Sequence, residues 1–300
     1  ALEHIFGQGD YKIRPVLLEG SDGHTAWANA AMMKRAGIDA DFVKSLPVPE
    51  QSYFGMTNGM PNGLLSESAI HYATSTMPPG KISAAKGLRT AVAHLNSLGI
   101  TSWLDPSVGS TSNGTENVDL QAYDSALRNG SLTAHVTATL VADANSDPDP
   151  QIEIVRSWQK RSANSPVKIA GFKIFADGVM EFPTQTASMV RPYRNSGLTG
   201  SQMVDPNKLI AFVKAADRAN MLVHIHAIGD KAVTESLDAF AAARKSNRNS
   251  TLPHSITHLQ CVLPADFIRF KKLNVLASMQ LLWATADNYT EDLVKPYIDP

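Results

Sequence analysis

Two histidines lie two residues apart in the apolar stretch MLVHIHAIGD, residues 221–230. If the stretch is a strand, alternation places His224 and His226 on the same face. Neutral imidazoles at this spacing can share a metal ion, or one can bind metal while the other meets substrate. The alternative is a pair of hydrogen-bonded histidines in the core.

Two further strand-like runs carry residues of the same chemical kind. Lys173 lies in GFKIFADG, where burial is costly unless the amine is paired, for example with Asp177, or modified. A neutral amine can take up carbon dioxide, and the carbamate formed is an anionic metal ligand. His258 lies in HSITHLQ, where alternation predicts that it shares a face with His254. A lysine and two histidines on consecutive strands predict a metal site, and a Schiff-base role for Lys173 is the alternative.

A second constellation precedes these strands, in SDGHTAWANA at residues 21–30. His24 and Trp27 follow a Gly23 turn, which predicts a substrate-facing lid. The alternative is the start of a helix, with Asp22 as its N-cap and Trp27 as a packing residue.

The elements that must position these residues alternate between strand and helix patterns. Strand-like runs occupy residues 100–105, 132–141, 167–178, 221–227, 254–260 and 274–280. Helical spacing predicts helices over 81–98, 205–220 and 231–245 among others, with Asp205 as an N-cap before Pro206. Repeated βα units predict a parallel sheet, either doubly wound or closed as a (β/α)8 barrel.

The barrel is the favoured interpretation. No glycine-rich phosphate loop follows any strand, and polar residues come at the ends of successive strands, where barrel active sites are built. The polar residues concerned are Asp105, Lys173 with Asp177, His226, His258 and Gln280. Residues 81–300 are therefore predicted to form a partial barrel. Residues 1–80, in which Asn58-Gly59 and Asn62-Gly63 predict hairpin turns, form an inserted α+β subdomain or lid.

Composition excludes several classes of partner. The chain has 300 residues, 43% of them hydrophobic and 18% charged, with a net charge of −1. A globular protein without a basic surface is expected, binding neither nucleic acid nor membrane. The single cysteine, Cys261, permits no internal disulfide and favours a cytoplasmic over a periplasmic location.

Five segments together resemble the amidohydrolase superfamily, in its YtcJ-like branch that includes N-substituted formamide deformylases. They are PVLLEGSDGHTAWANAAMMKRAGI, LNSLGITSWLDPS, GFKIFADGVMEF, VHIHAIGDKAVTESLDAF and HSITHLQCVLPADFIRFKKLNVLASMQ. The resemblance implies a metal-dependent hydrolase on a (β/α)8 barrel. By that resemblance, the metal ligands are Lys173, carboxylated, with His226 and His258; His24 and His224 are catalytic; Trp27 and Asp177 contact substrate.

The implied reaction is hydrolysis of an amide or related C–N bond in a small molecule, by water activated on one or two divalent ions, with zinc favoured. The family's first-strand His-x-His and eighth-strand Asp do not occur in the six strand-like runs, which match barrel strands 2 to 7. The resemblance therefore implies an internal piece of a longer enzyme, with little or no activity and a weakened metal site by itself. Thr257 also replaces the family's usual Glu before the strand-6 histidine. The alternative is a degenerate, non-catalytic barrel that acts as a binding or regulatory module, and formation of a homo-oligomer is left open.

Overall fold

The computed structural model describes residues 5–6, 8–78, 80, 83–114 and 116–299. The chain divides into two compact units, one formed by Ala1–Pro79 with Gly178–Gln185 and the other by Gly80–Asp177 with Thr186–Pro300. None of the described helices has the length and apolar character that a membrane crossing requires.

The first unit is built on a four-stranded antiparallel sheet in the order β1-β2-β4-β3. Its strands are β1 (Leu17–Glu19), β2 (Thr25–Ala28), β3 (Phe54–Thr57) and β4 (Met60–Ser66). Its helices are α1 (Ala30–Ala36), α2 (Ala40–Ser45), α3 (Val48–Gln51) and α4 (Ala69–Thr74), after a 3-10 turn at Gly9–Lys12.

The two Asn-Gly pairs of this unit behave differently. Asn58 and Gly59 both have positive φ, of 52° and 75°, and form the predicted turn between β3 and β4. Asn62-Gly63 was expected to be a second turn, and that expectation is wrong because both residues lie inside β4. A Cβ at Gly63 would come within 2.2 Å of the Ala28 carbonyl oxygen, so glycine is required there by the close approach of β2.

The second unit contains a six-stranded parallel sheet in the order β10-β9-β8-β7-β6-β5, the sheet of an incomplete (β/α)8 barrel. The strands are β5 (Ser102–Asp105), β6 (His135–Val141), β7 (Val167–Phe175), β8 (Leu222–Ala227), β9 (Ser255–His258) and β10 (Leu276–Ser278). Each predicted strand is present, although most are shorter than the apolar runs that predicted them.

Helices alternate with the strands of this unit, beginning with one before β5. They are α5 (Ala84–Ser97), α6 (Val118–Arg128), α7 (Pro148–Arg161), α8 (Pro206–Arg218), α9 (Asp230–Ser246) and α10 (Phe267–Leu273). Short 3-10 segments occur at Thr111–Asn113, Pro264–Asp266, Leu281–Ala284 and Lys295–Tyr297, with a π-helical turn at Tyr289–Val294. The start predicted for α5, at residues 81 and 82, lies outside the described residues.

The start of α8 is set by a capping residue and a proline. Asp205 accepts hydrogen bonds from the backbone N–H groups of Asn207 and Lys208, and Pro206 occupies the first helical position, as predicted.

The main core lies between the sheet and its helices, where Phe172 meets Phe212 of α8 edge to face at 5.1 Å. Because successive side chains of a strand point to opposite faces, the residues between these core positions lie on the other face of the sheet.

Candidate functional site

The register of the parallel sheet brings the polar residues of β7 and β8 to one face. Lys173 is paired with His224, and Phe175 with His226. The intervening residue Ile174 is fully buried in the core under the helices. The lysine and both histidines therefore lie on the face of the sheet that points away from the helices, as the sequence predicts.

Lys173 is buried, with only 3% of its surface exposed. Among the residues that the structure describes, its Nζ makes no hydrogen bond or ion pair, and Asp177 is no exception. Its nearest aromatic neighbour is Phe175, whose ring centroid lies 4.9 Å from Nζ. Burial lowers the pKa of this amine to about 7, so a substantial fraction is neutral near neutral pH.

His226 and His258 come together from neighbouring strands, with ring centroids 4.5 Å apart in an edge-to-face arrangement. Strand alternation would have placed His258 with His254, on the other face, and that expectation is wrong. His258 has a φ of +80°, which redirects its side chain at the end of β9. His254 instead faces the helices, where it stacks on Phe240 and hydrogen-bonds to Asp217.

The ring of His258 contacts Gln280 and Trp283, and Thr257 in turn contacts Gln280. Its Nδ1 lies 2.8 Å from Gln280 Oε1, and Gln280 Nε2 donates to Thr257 Oγ1 at 3.2 Å. Trp283 stacks on the imidazole with centroids 4.7 Å apart and planes 12° apart. Sequence reasoning singled out Gln280 only as a polar strand end and missed Trp283, since neither contact follows from spacing along one strand.

His224 forms a short hydrogen bond across to the next strand, with Nδ1 2.6 Å from Ser255 Oγ. Its pKa is lowered to about 3, first by burial and then by the charges of Lys173 and His258. The imidazole is therefore neutral at neutral pH and can donate or accept a hydrogen bond without carrying charge.

Asp177 anchors the loops beyond the strand ends. Its carboxylate accepts hydrogen bonds from the backbone N–H groups of Ile228, Gly229 and Ser188, at 2.8–3.0 Å. Oδ1 also lies 3.5 Å from Nε2 of His226. The carboxylate thus fixes the backbone of two loops beside His226. The substrate contact expected of Asp177 stays a prediction.

Asp105, the polar residue at the end of β5, points towards the helix α6. Its Oδ2 accepts a hydrogen bond of 2.7 Å from the hydroxyl of Tyr123 on α6, which in turn accepts one from the Trp103 indole. The side chain is therefore engaged with the helix layer, and it does not join the histidines.

His24 and Trp27 belong to the first unit. His24 precedes β2, and its Nδ1 lies 2.9 Å from Glu67 Oε2. Burial lowers the pKa of His24, but the hydrogen bond and negative charge of Glu67, with smaller effects of Asp22 and Glu181, outweigh it and leave the pKa raised. Glu67 was not found from the sequence because it lies 43 residues away.

The SDGHTAWANA segment is a turn and a strand, so its alternative reading as a helix start is wrong. Asp22 caps the turn, accepting hydrogen bonds from the backbone of His24 and Thr25, and the helix cap is Asn29. Trp27 lies half-buried on β2, on the opposite face from Ala26 and Ala28, which pack into the core of the unit.

The donor set of the second unit fits a divalent ion in part. No cluster of three or more His, Cys, Asp or Glu side chains with a metal-binding arrangement occurs among the described residues. The imidazoles of His226 and His258 lie side by side, and the amine of Lys173 lies on the same face of the neighbouring strand β7.

The sequence as a whole has clear relatives. Residues 11–297 match the model of the amidohydrolase family. The exoenzymes regulatory protein AepA of Pectobacterium carotovorum is 29% identical over 95% of this chain and 59% of its own length. The putative amidohydrolase YtcJ of Bacillus subtilis is 28% identical over 81% of this chain and 44% of its own. The chain thus spans about half the length of these relatives.

Solved structures share the fold. A metal-dependent hydrolase from Pyrococcus horikoshii superposes with a TM-score of 0.63, at 23% identity over 94% of this chain and 52% of its own. One from Pyrococcus furiosus gives a TM-score of 0.62, at 24% identity over 94% of this chain and 53% of its own. At this level of identity the similarity is one of fold.

Proposed function

Since the chain belongs to the amidohydrolase family, in its YtcJ-like branch, we propose that it carries the metal site of a hydrolase acting on an amide or related C–N bond. The observation that carries the proposal is the contact of the His226 and His258 rings, 4.5 Å apart, with Lys173 on the same face of the strand next to that of His226. The substrate is a small molecule, and the ion is divalent, with zinc favoured and one or two ions per site.

His226 and His258 would hold the ion through imidazole nitrogens, with Lys173 as the third ligand after carboxylation. In that step the neutral Nζ attacks the carbon of carbon dioxide, a C–N bond forms while one C=O π bond opens onto its oxygen, and one N–H proton passes to solvent water, which leaves the carbamate anion. The burial of the amine, its missing polar partner and its lowered pKa support this step. When bound, the ion lowers the pKa of a coordinated water and polarises the substrate carbonyl.

The remaining predicted residues are proposed to act on substrate rather than on the ion. His224, neutral and fixed by Ser255, orients the substrate or donates to the developing oxyanion. His24 and Trp27 are proposed to contact substrate from the lid region at residues 1–80, with residues 81–300 as the barrel. Asp177 is proposed to contact substrate as well as to anchor the loops. The 300 residues by themselves are proposed to turn over substrate weakly or not at all.

The direct test is the His226→Ala substitution in a protein that includes this chain together with flanking sequence of the length found in its relatives. Turnover of a panel of N-substituted amides, followed as released amine, and bound metal, measured by mass spectrometry, are both expected to fall more than about 100-fold. Undiminished turnover with normal metal content would remove His226 from the site.

A second candidate is a non-catalytic barrel with a binding or regulatory role. It is supported by Thr257 in place of the family's usual Glu, and by the name of the AepA relative, a regulatory protein. It is distinguished by the same panel: a protein that binds metal through His226 yet releases no amine from any substrate favours the regulatory role.

A further inference from the structure

The conformation of His258 is unfavourable and needs support from its surroundings. His258 and Leu259 have φ values of +80° and +56°, a region that residues other than glycine and asparagine rarely occupy. This backbone turns the imidazole towards His226 instead of towards the helices. The side chain must then be fixed by contacts beyond its own strand.

These contacts come from one short segment after β10. Gln280 precedes the 3-10 turn Leu281–Ala284, and the backbone N–H of Trp283 donates to the Gln280 carbonyl oxygen at 3.0 Å. The turn thereby presents the Gln280 amide to the edge of the His258 ring and the Trp283 indole to its face. Stacking restricts rotation of the ring, while the amide sets which nitrogen carries the proton.

We propose that Gln280 is a positioning residue that fixes the tautomer of His258, with Thr257 as the anchor that orients the glutamine amide. Gln280 Oε1 can only accept a hydrogen bond, so His258 Nδ1 carries the proton and Nε2 carries the lone pair. The Thr257 hydroxyl oxygen accepts from Gln280 Nε2 and holds the amide in this orientation. The use of the tautomer, to offer Nε2 to a divalent ion, rests on the proposed function.

Thr257 thereby acquires a role. Thr257 pairs with His226 in the register of β8 and β9. Its hydroxyl contacts Gln280, which holds the His258 ring, and not the ring itself. The Thr257 hydroxyl can orient Gln280 through this hydrogen bond. Valine has nearly the same shape but no acceptor, so it could not orient the glutamine amide.

The first arm of the test does not require metal. Long-range ¹H–¹⁵N correlation spectra of the metal-free chain distinguish the two neutral tautomers of a histidine ring. We expect His258 to be the Nδ1–H tautomer in the wild type and a mixture of tautomers in Gln280→Leu. Gln280→Glu, which keeps an acceptor against Nδ1, is expected to restore the wild-type tautomer. An unchanged tautomer in Gln280→Leu would overturn the proposal.

The second arm measures the affinity for Zn²⁺ alone, by competition with a chromophoric chelator. Gln280→Leu is expected to weaken binding about 10–100-fold and Thr257→Val to weaken it in the same direction, while Gln280→Glu binds close to wild type. Equal affinity of Gln280→Leu and wild type would overturn the inference while leaving the metal site intact. A wild type that binds no Zn²⁺ would instead count against the proposed function, and the tautomer measurement would still decide the role of Gln280.

A matched control is available in the same unit. Gln159 is also half-buried and donates through Nε2 to a backbone oxygen, that of Ile169, on the far side of the core. Gln159→Leu is expected to leave both the His258 tautomer and the Zn²⁺ affinity unchanged. Equal effects of the two substitutions would show a general loss of packing and overturn the specific role of Gln280.

Discussion

At the scale of single residues, the site depends on a backbone conformation that sequence patterns do not reveal. Spacing correctly predicted that Lys173, His224 and His226 share a face, because residues 171–175 of β7 pair with β8 in a regular register. It failed at His258, where a positive φ interrupts the alternation. The partners Gln280, Trp283 and Glu67 could not be inferred because each contact joins segments distant in the chain.

The conformation of His258 gives a sharp test of its role as a ligand. Asparagine tolerates positive φ better than other residues except glycine. His258→Asn should therefore leave the melting temperature within a few degrees of wild type while lowering bound metal by more than about tenfold. Metal content by mass spectrometry and a thermal melt on the same sample check both parts. Normal metal content in a folded His258→Asn protein would exclude His258 as a ligand.

The pair formed by His24 and Glu67 predicts a pH effect in the first unit. The pKa of His24 is raised because the attraction of Glu67, with Asp22 and Glu181 nearby, exceeds the effect of burial. The pair therefore stabilises the folded state fully below about pH 6.5, the unperturbed histidine pKa, and this stabilisation is lost as the pH rises through the raised value.

Glu67→Gln should lower the pKa of His24, measured as the titration of its ring signals by NMR. The amide keeps a hydrogen-bonding group at the position but removes the charge. The wild-type titration curve is expected to lie at higher pH than that of the variant. Coincident curves would show that Glu67 does not set the protonation of His24.

At the scale of elements, α8, α9 and the start of β9 are joined by a buried polar cluster around Asp217. The carboxylate contacts His254 Nε2 at 2.9 Å and Arg244 at 3.1 Å, and accepts from Asn247 at 2.8 Å and from Ser250 at 2.5 Å. Burial raises the pKa of Asp217, but the hydrogen bonds with His254, Ser250 and Asn247 outweigh it and lower the pKa to about 2. The cluster lies on the helix side of the sheet, so its role is structural.

Asp217→Asn should destabilise the folded state by about 3 kcal/mol at neutral pH, because it leaves Arg244 without its charged partner. Since the folded pKa lies below the unfolded value of about 3.9, the carboxylate stabilises the fold above about pH 4 and less as the pH falls towards 2. Urea denaturation of both proteins should therefore show a gap that narrows between pH 5 and pH 3. A constant gap would mean that the charge of Asp217 contributes little.

The turn after β8 is constrained by a close approach of two backbones. A Cβ at Gly229 would lie 2.1 Å from the carbonyl oxygen of Ser188, the same segment that Asp177 holds. Gly229→Ala should cost about 1–3 kcal/mol or more, because backbone must shift. Gly87, inside α5, has open space around the same position, so Gly87→Ala should stabilise by about 0.5–1 kcal/mol. Shifts of the denaturation midpoint in the same direction for the two variants, relative to wild type, would contradict this expectation.

At the scale of the whole molecule, the parallel sheet with its helices follows from hydrophobic periodicity, and the sequence predicted it well. Residues 172–175 and 222–227 alternate between core residues and residues of the opposite face, and this alternation sets their strand register. The first half of β7 is out of phase with the second, because the pairing with β6 shifts by one residue between Ile169 and Gly171. The first unit was harder to predict, since its short strands lack that length and Asn62-Gly63 imitates a turn inside β4. Among the predicted polar strand ends, His226, His258 and Gln280 come together, whereas Asp105 faces α6.

Lys173, His226 and His258 are proposed to form a metal site within these 300 residues. The most direct measurement is the metal content of the chain, purified without a histidine tag or chelator and supplied with Zn²⁺, beside the His226→Asn variant. We expect about one ion per chain in the wild type and a loss of that ion in the variant. A wild type without bound metal, or a variant that retains the same content, would contradict it.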